Sequence, residues 1–313
     1  MLKQENFQIA IVGCGHVGMT TAYSLLLQGV PTKLILYSRN LKHLQGEKLD
    51  LEHGFAFYPS TPEIIATTNP KDLKGTDLII YTAGAAQKPG QTRLDLTKTN
   101  LQILKKVLPP IIHHAPHALV LVVANPVDLL TYTAYTTLNL PWGRVFGSGT
   151  LLDTSRFRFH LSQHLNLHPD SIHAYIMGEH GDTSFLAQSA ATIGGIPLSY
   201  YPKLDQKTID KVYHETRDAA YKIIAGKGAT YYGIATTLTH LAKAIKNDSK
   251  LILPLSVPLI KPYYQIENIA LSVPVILDRN GVRKTLTIYL SETEQQSLLH
   301  SANTLKQTLQ KTK

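Results

Sequence analysis

The chain has 313 residues, 31 lysines and arginines against 22 aspartates and glutamates for a net charge of +9, and a single cysteine, Cys14. That length supports a sizeable core without staples, one cysteine excludes an intramolecular disulfide framework, and no run approaches the roughly 18 apolar residues that span a bilayer. The basic excess is scattered, at Lys42, Lys71, Lys203, Lys243 and Lys306, so it fits attraction of small anions into a cleft better than a nucleic-acid module. The N-terminal stretch MLKQENFQIAIVGCGHVG lacks the apolar core and cleavage site of a secretory leader, and a cytoplasmic location away from membranes is expected.

The first half alternates short apolar runs with helix-like segments, which predicts a mostly parallel sheet covered by helices on both faces. Strands are expected at 8–13, 33–37, 64–68, 78–82 and 119–123, and helices at 17–28, 42–54 and about 95–113. Pro109-Pro110 and Pro116 bracket the chain before the last strand, because proline interrupts helix hydrogen bonding. The glycine- and proline-containing loop Gly84–Thr92 follows strand 78–82, at the carboxyl edge where open α/β sheets bind ligands.

Past about residue 145 the pattern changes. A helix is expected at 151–165, then strand 172–176, a polar loop at 178–183 and a helix around 184–193. A long helical region over 205–245 should break near Gly226 and Gly228, followed by strands at 252–257, 268–276 and 284–290. Asp278-Arg279-Asn280-Gly281 offers a hairpin turn between the last two. Ser291 and Glu294 have the spacing of a capping box, which starts the final helix.

Gly13-Cys14-Gly15-His16-Val17-Gly18 is G-x-G-x-x-G directly after a strand and opening a helix. Gly13 permits the tight turn, Gly15 the approach of a pyrophosphate, and Gly18 close helix–strand packing, while the helix start offers unpaired N–H groups to the phosphates. Cys14 inside this turn reads as a small filler rather than a nucleophile. The alternative is a tight turn with no ligand. A dinucleotide site makes the expected fold class α/β, with a Rossmann-like dinucleotide-binding domain over 1–145 and an α+β substrate domain over 146–313.

An acidic residue about 20 positions on normally accepts hydrogen bonds from the ribose of NAD. Here the positions are Ser38 and Arg39. Ser38 removes a carboxylate that would repel a 2′-phosphate and Arg39 can pair with one, which favours NADP. The other reading leaves Arg39 in solvent and Ser38 on the ribose of NAD.

Reducing the ketone of a 2-oxo acid requires a hydride donor, a proton donor at the carbonyl oxygen, a positive group for the developing oxyanion and an arginine for the carboxylate. His180 lies in the loop Gly178-Glu179-His180-Gly181-Asp182, and Asp153 can orient its imidazole and raise its pKa. Arg156 follows Asp153 by three positions on one helix, so the two share a face; Arg93 ends the Gly84–Thr92 loop, where closure brings it over a substrate. For either arginine the alternative is a surface ion pair of small value. Asn125, before Pro126 at the sheet's carboxyl edge, suits contact with nicotinamide and substrate, or else merely initiates a turn.

Together these segments closely resemble the L-lactate dehydrogenases of the lactate/malate dehydrogenase family, over essentially the whole chain. The specific stretches are Gly13–Gly18, Ala83–Leu96 (AGAAQKPGQTRLDL), Asn125-Pro126-Val127-Asp128, Gly149–Phe159, Gly178–Asp182 and Lys227–Gly233 (KGATYYG). The resemblance implies that His180 exchanges the proton, Asp153 holds its imidazolium, Arg156 clamps the carboxylate and Arg93 polarises the carbonyl. It also implies that Asn125 places substrate and nicotinamide, and that Thr230 limits pocket size. Gln87 stands where malate dehydrogenases carry an arginine for a second carboxylate, which points to pyruvate and L-lactate, since a buried unpaired carboxylate is costly.

Two departures from the family accompany this: Ser38 replaces the acid, and Gln91 replaces a glutamate, for which altered kinetics are expected. Many bacterial members are activated by fructose 1,6-bisphosphate through an arginine and a histidine matching Arg158 and His173, and the family implies a homotetramer with the second domain also serving oligomerisation. Competing readings are a dehydrogenase for a bulkier 2-hydroxy acid or malate, a non-catalytic protein on the same scaffold, and a nucleic-acid binder. The second predicts loss of one of His180, Asp153, Arg156 or Arg93, and all four are present.

Overall fold

In a computed structural model of the chain, residues 6–85, 92–202 and 204–312 are described, with the backbone alone for Arg93. β1 (Gln8–Val12) leads into α1 (His16–Leu27), and β2 (Lys33–Tyr37) into α2 (Leu41–His53). β3 (Glu63–Thr67), β4 (Leu78–Tyr81), α3 (Arg93–His114), β5 (Leu119–Val122), α4 (Val127–Leu138) and β6 (Val145–Gly147) complete the first half. The second half holds α5 (Leu151–Leu165), the short strands β7 (Ile172–His173), β8 (Ile176–Met177), β9 (Phe185–Leu186), β10 (Thr192–Ile193) and β11 (Ile196–Pro197), then α6 (Gln206–Lys227) and α7 (Tyr232–Lys246). β12 (Leu251–Leu259), β13 (Ile269–Asp278), β14 (Gly281–Thr285) and α8 (Glu292–Lys311) end the chain.

One nine-stranded sheet runs β14-β13-β12-β6-β5-β4-β1-β2-β3. Its six strands from β3 to β6 are parallel, and β12–β14 extend it antiparallel. The central strands β4 (LIIY) and β5 (LVLV) are buried at every position, as parallel strands covered on both faces require. Alternate residues serve opposite cores: Ala10, Val12, Ile79 and Tyr81 pack with Leu104 and Leu108 of α3, while Ile9, Ile11 and Ile80 pack with Leu25 of α1 and Leu241 of α7. Each such fully buried aliphatic side chain contributes about 1.5–3 kcal/mol. Because the chain proceeds outward from β1 to β3 and then returns to β4 on the other side of β1, the strand order reverses there, and the crevice above β1 and β4 is where such a sheet binds ligands.

The helix expected at about 95–113 is α3, and Pro109 and Pro110 lie inside it. The carbonyls deprived of a donor, four residues back, are those of Lys105 and Lys106, both exposed, so water can satisfy them. The segment 184–193 is β9, a 3₁₀ turn and β10 instead of a helix. Phe185 and Leu186 pair with Met177 and Ile176, and Thr192 and Ile193 with His173 and Ile172, so non-local ladders override local helix propensity.

The strand expected at 284–290 is β14, which stops at Thr285. Beyond it, the Leu286 amide still donates to the Pro274 carbonyl at 2.8 Å, while the Leu286 and Ile288 carbonyls accept the Tyr263 and Tyr264 hydroxyls instead of continuing the ladder. Helix α4 was not expected from sequence at all. It is buried nearly all round, at Val127, Asp128, Leu129, Leu130, Thr131, Thr133 and Ala134, so it lacks an amphipathic stripe, and its threonines lower helix propensity. Strand 172–176 also divides, into β7 and β8. Among the described residues, no helix is long and apolar enough to cross a membrane.

Candidate active site

The glycine-rich turn is built by backbone contacts that tolerate no side chain at two positions. Gly13 has φ +104°, and a Cβ there would lie 2.4 Å from the Ala83 nitrogen in the turn after β4; at Gly18 it would lie 2.1 Å from the Gly13 carbonyl. A Cβ on Gly15 would meet nothing within 4 Å. The space over the start of α1 is therefore open, while no side chain caps that helix and no acid stands in its first turn. Unclaimed N–H groups facing open space fit a dinucleotide pyrophosphate.

The Gly13 amide donates to the Tyr37 carbonyl at 2.9 Å, which holds the end of β2, and so Ser38, beside the turn. Ser38 is half-buried and Arg39 exposed, and the first turn of α2 that follows has no acid. His43 on α2 lies 3.3 Å from the Cys14 carbonyl and 3.3 Å from Glu47; no sequence signal marked it. Burial, and secondarily Glu47, push the Cys14 thiol up to about 12, in keeping with a filler. His16 is exposed and stacks on Tyr231, with ring centroids 5.4 Å apart, and Lys227 sits over the Tyr231 ring at 3.3 Å.

Across the crevice, α5 and the loop after β8 bring together residues 27 positions apart. The Thr150 hydroxyl donates to the Ile176 carbonyl at 2.5 Å and the Ile176 amide to the Thr154 hydroxyl at 3.0 Å, locking the first turn of α5 onto β8. Gly178 pairs in both directions with Ser272; its φ is +91°, and a Cβ there would lie 2.5 Å from the Ser301 hydroxyl, so only glycine begins this loop without strain. His180 Nδ1 then lies 2.7 Å from Asp153 Oδ2, and Arg156 Nη1 donates to Asp153 Oδ1 at 2.8 Å.

The electrostatics follow from that geometry. Burial by itself disfavours a charged imidazole, but the charge and hydrogen bond of Asp153, aided by Asp128, outweigh burial and Arg156, so the His180 pKa is raised. For Asp153, burial opposes ionisation and is outweighed by His180 and Arg156, and its pKa is lowered. With Nδ1 committed to Asp153, Nε2 is the nitrogen left for proton exchange.

Two further residues belong to this arrangement and were not singled out from sequence. Asp128 on α4 accepts the His180 amide at 2.7 Å and the Ser256 hydroxyl at 2.6 Å. Asn100 on α3 accepts the Ala85 amide and donates to the Asn125 carbonyl, both at 2.8 Å, joining the turns after β4 and β5. The Asn125-Pro126 peptide is cis and Asn125 is exposed at the sheet edge. Thr230 is half-buried between α6 and α7. Arg93 opens α3, but its side chain, like Gln87 and Gln91, lies outside the described residues. Arg158 donates to the Pro169 carbonyl at 3.0 Å and to Asp170 at 3.2 Å, and His173 is exposed on β7.

Residues 7–147 match the family described as lactate/malate dehydrogenase, NAD binding domain, and residues 150–313 match its alpha/beta C-terminal domain. The chain belongs to the lactate/malate dehydrogenase family. It pairs a Rossmann NAD-binding domain with the family's C-terminal α/β domain and is a nicotinamide-dependent oxidoreductase. Within the family it is 43% identical to the L-lactate dehydrogenase of Thermoanaerobacterium saccharolyticum, over 95% of this chain and 96% of that protein. It is 40% identical to L-lactate dehydrogenase 1 of Clostridium acetobutylicum, over 98% of each. The solved structure of MGS-M5, a lactate dehydrogenase enzyme from a Medee basin deep-sea metagenome library, superposes with a TM-score of 0.94 at 38% identity, covering 98% of this chain and 99% of that one. The minor L-lactate dehydrogenase of Enterococcus mundtii gives the same TM-score of 0.94 and 38% identity, covering 97% and 98%.

Proposed function

We propose that this chain interconverts pyruvate and L-lactate, with residues 1–145 binding the dinucleotide and 146–313 contributing most of the substrate site and the oligomer contacts. The observation that carries the reading is the His180–Asp153–Arg156 cluster, with bonds of 2.7 and 2.8 Å, beside an open cradle for a dinucleotide. When bound, the nicotinamide supplies or accepts the hydride. His180 Nε2 gives its proton to the carbonyl oxygen during reduction and takes it back during oxidation, and Asp153 holds the ring and favours its charged form.

Arg156 uses one N–H on Asp153 and has further donors for the substrate carboxylate. Arg93 polarises the carbonyl, Asn125 orients substrate and nicotinamide, and Thr230 bounds the pocket. Gln87 leaves a second carboxylate without a cation, which disfavours oxaloacetate.

Gly13, Gly15, His16, Val17 and Gly18 hold the pyrophosphate, and Ser38 and Arg39 admit NADP beside NAD. Arg158 and His173 form an activator site for fructose 1,6-bisphosphate in a homotetramer; the anion competes there with Asp170, which already pairs Arg158 at 3.2 Å. A cytoplasmic protein without membrane or nucleic-acid partners completes the reading.

Initial rates of pyruvate reduction with NADH and with NADPH, each with and without fructose 1,6-bisphosphate, test it. Turnover of pyruvate well above oxaloacetate and 2-oxobutyrate is expected. No pyruvate turnover under any of these conditions overturns the assignment, and strong NADH preference overturns the role given to Arg39.

A further inference from the structure

Asp128 occupies the first turn of α4, three residues after Asn125, and is 2% exposed. Its carboxylate has two hydrogen-bond donors, the His180 amide at 2.7 Å and the Ser256 hydroxyl at 2.6 Å, and among the described residues no cation pairs with it. Burial pushes its pKa up to about 6, against the pull of Ser256, of the His180 amide and of the His180 charge. Retaining a carboxylate in such a place is costly. An asparagine would accept the same amide and donate to the same hydroxyl without that cost, so hydrogen bonding alone leaves the charge unaccounted for.

The charge has one evident object. The groups facing the His180 ring are Asp153 and Arg156 from α5 and Asp128 from α4, and the two carboxylates favour the imidazolium while Arg156 and burial oppose it. Glu179, the neighbour in the loop, acts on Asp128 itself.

We propose that Asp128 is a positioning residue for proton transfer, gripping the main chain of His180 from α4 and adding a second negative charge that keeps the imidazole protonated until the oxo acid binds. The inference rests on His180 being the proton-exchanging group. It makes α4 a bridge: the turn that presents Asn125 also sets the place and charge of His180, and Ser256 of β12 braces the carboxylate from behind.

Asp128→Asn removes the charge and keeps both hydrogen bonds, whereas Asp128→Ala removes both. In the full-length enzyme, the pH profiles of kcat/KM are measured for pyruvate reduction and lactate oxidation, alongside the titration of the His180 ring by NMR of labelled histidine, assigned by its loss in His180→Asn. For Asp128→Asn, the alkaline limb of reduction and the acid limb of oxidation both move to lower pH, by roughly half a unit to one unit. At a pH on the limb, reduction falls by about 3–10-fold while oxidation rises, an opposition that general damage to the fold does not produce.

Asp128→Ala is expected to show the same displacement and, in addition, a kcat lowered at every pH. Ser256→Ala, a milder change, raises the proton affinity of Asp128 and moves the limbs in the same direction by less, which keeps the test open if the Asp128 variants do not fold. Unmoved limbs and an unmoved His180 titration in Asp128→Asn overturn the charge role; equal plateau kcat in the Asn and Ala variants overturns the grip. Because the NMR titration needs no turnover, a wild-type protein inactive on pyruvate tells against the lactate reading, and an unshifted ring titration tells against Asp128.

Discussion

At the scale of single residues, the two bonds on Asp153 decide what the site can do. Removing its charge as Asp153→Asn leaves the shape and takes away the main support of the His180 imidazolium. The expected result is a loss of roughly 100-fold or more in kcat/KM for pyruvate reduction, with the alkaline limb at lower pH and NADH affinity by fluorescence titration unchanged. Equal loss of NADH affinity would make Asp153 a structural residue. Ser38 is the other decisive position. On the proposed reading, Ser38→Asp puts a carboxylate beside the ribose, and repulsion of a 2′-phosphate across about 5 Å at an effective dielectric near 20 is roughly 3 kcal/mol before screening. NADPH binding should weaken by about 10–100-fold while NADH binding holds or improves; equal effects on both cofactors would dissociate Ser38 from the 2′-position.

At the scale of elements, the turn between β1 and α1 separates folding from binding by two glycines three residues apart. Gly18→Ala drives a Cβ to within 2.1 Å of the Gly13 carbonyl, and backbone cannot rotate away as a side chain would. It should cost about 1–3 kcal/mol in urea unfolding and weaken dinucleotide binding as α1 shifts. Gly15→Ala meets no protein atom within 4 Å, so its urea midpoint should match wild type while NADH binding falls; a stability loss equal to that of Gly18→Ala would contradict the open cradle. α8 acts at the same scale from behind the loop that carries His180. Ser301 accepts the Glu179 amide at 3.3 Å and donates to the Thr183 carbonyl at 2.5 Å. Its helix begins in a reciprocal Ser291–Glu294 capping box, and Ser291→Ala should cost about 1 kcal/mol by urea unfolding, with little effect on NADH affinity.

At the scale of the whole molecule, the site's ionisations become a pH dependence of stability. Asp128 binds its proton more tightly folded, at about 6, than its ordinary value of 3.8, so the folded state holds more protons between those values and stability falls as pH rises through that window. The full penalty, about 3 kcal/mol, applies above it. His180 is also raised, from 6.5: its contribution is complete below that value and is lost as pH rises through its folded pKa. Asp153 is lowered from 3.8, so its contribution is present above that value and disappears as pH falls through the folded pKa. Urea unfolding of Asp128→Asn and wild type across pH 4–7 should therefore show the variant gaining relative stability up to about pH 6 and then a constant difference. A difference independent of pH would place the Asp128 pKa near its ordinary value in the folded state.

Local pattern was sufficient for the parallel half of the fold and for the glycine-rich turn. Apolar runs such as LIIY and LVLV and the glycines at 13, 15 and 18 are legible because each is dictated by its own neighbourhood in the chain, whereas the pairing of 153, 156 and 180 came from residue type and the family resemblance. α4 was invisible for the opposite reason: a helix buried nearly all round, with only Thr136 and Thr137 exposed, has no charged face to mark its period. The strands at 185–186 and 192–193 exist only through pairing with residues brought alongside by the fold. So too with Asp128 and Asn100, ordinary residues in sequence whose roles come from partners 52 and 25 positions away. Residue type and resemblance paired His180 with Asp153 in the sequence; only the packing of α5 against β8 put their atoms within a hydrogen bond, because nothing short of tertiary contact closes a gap of 27 residues.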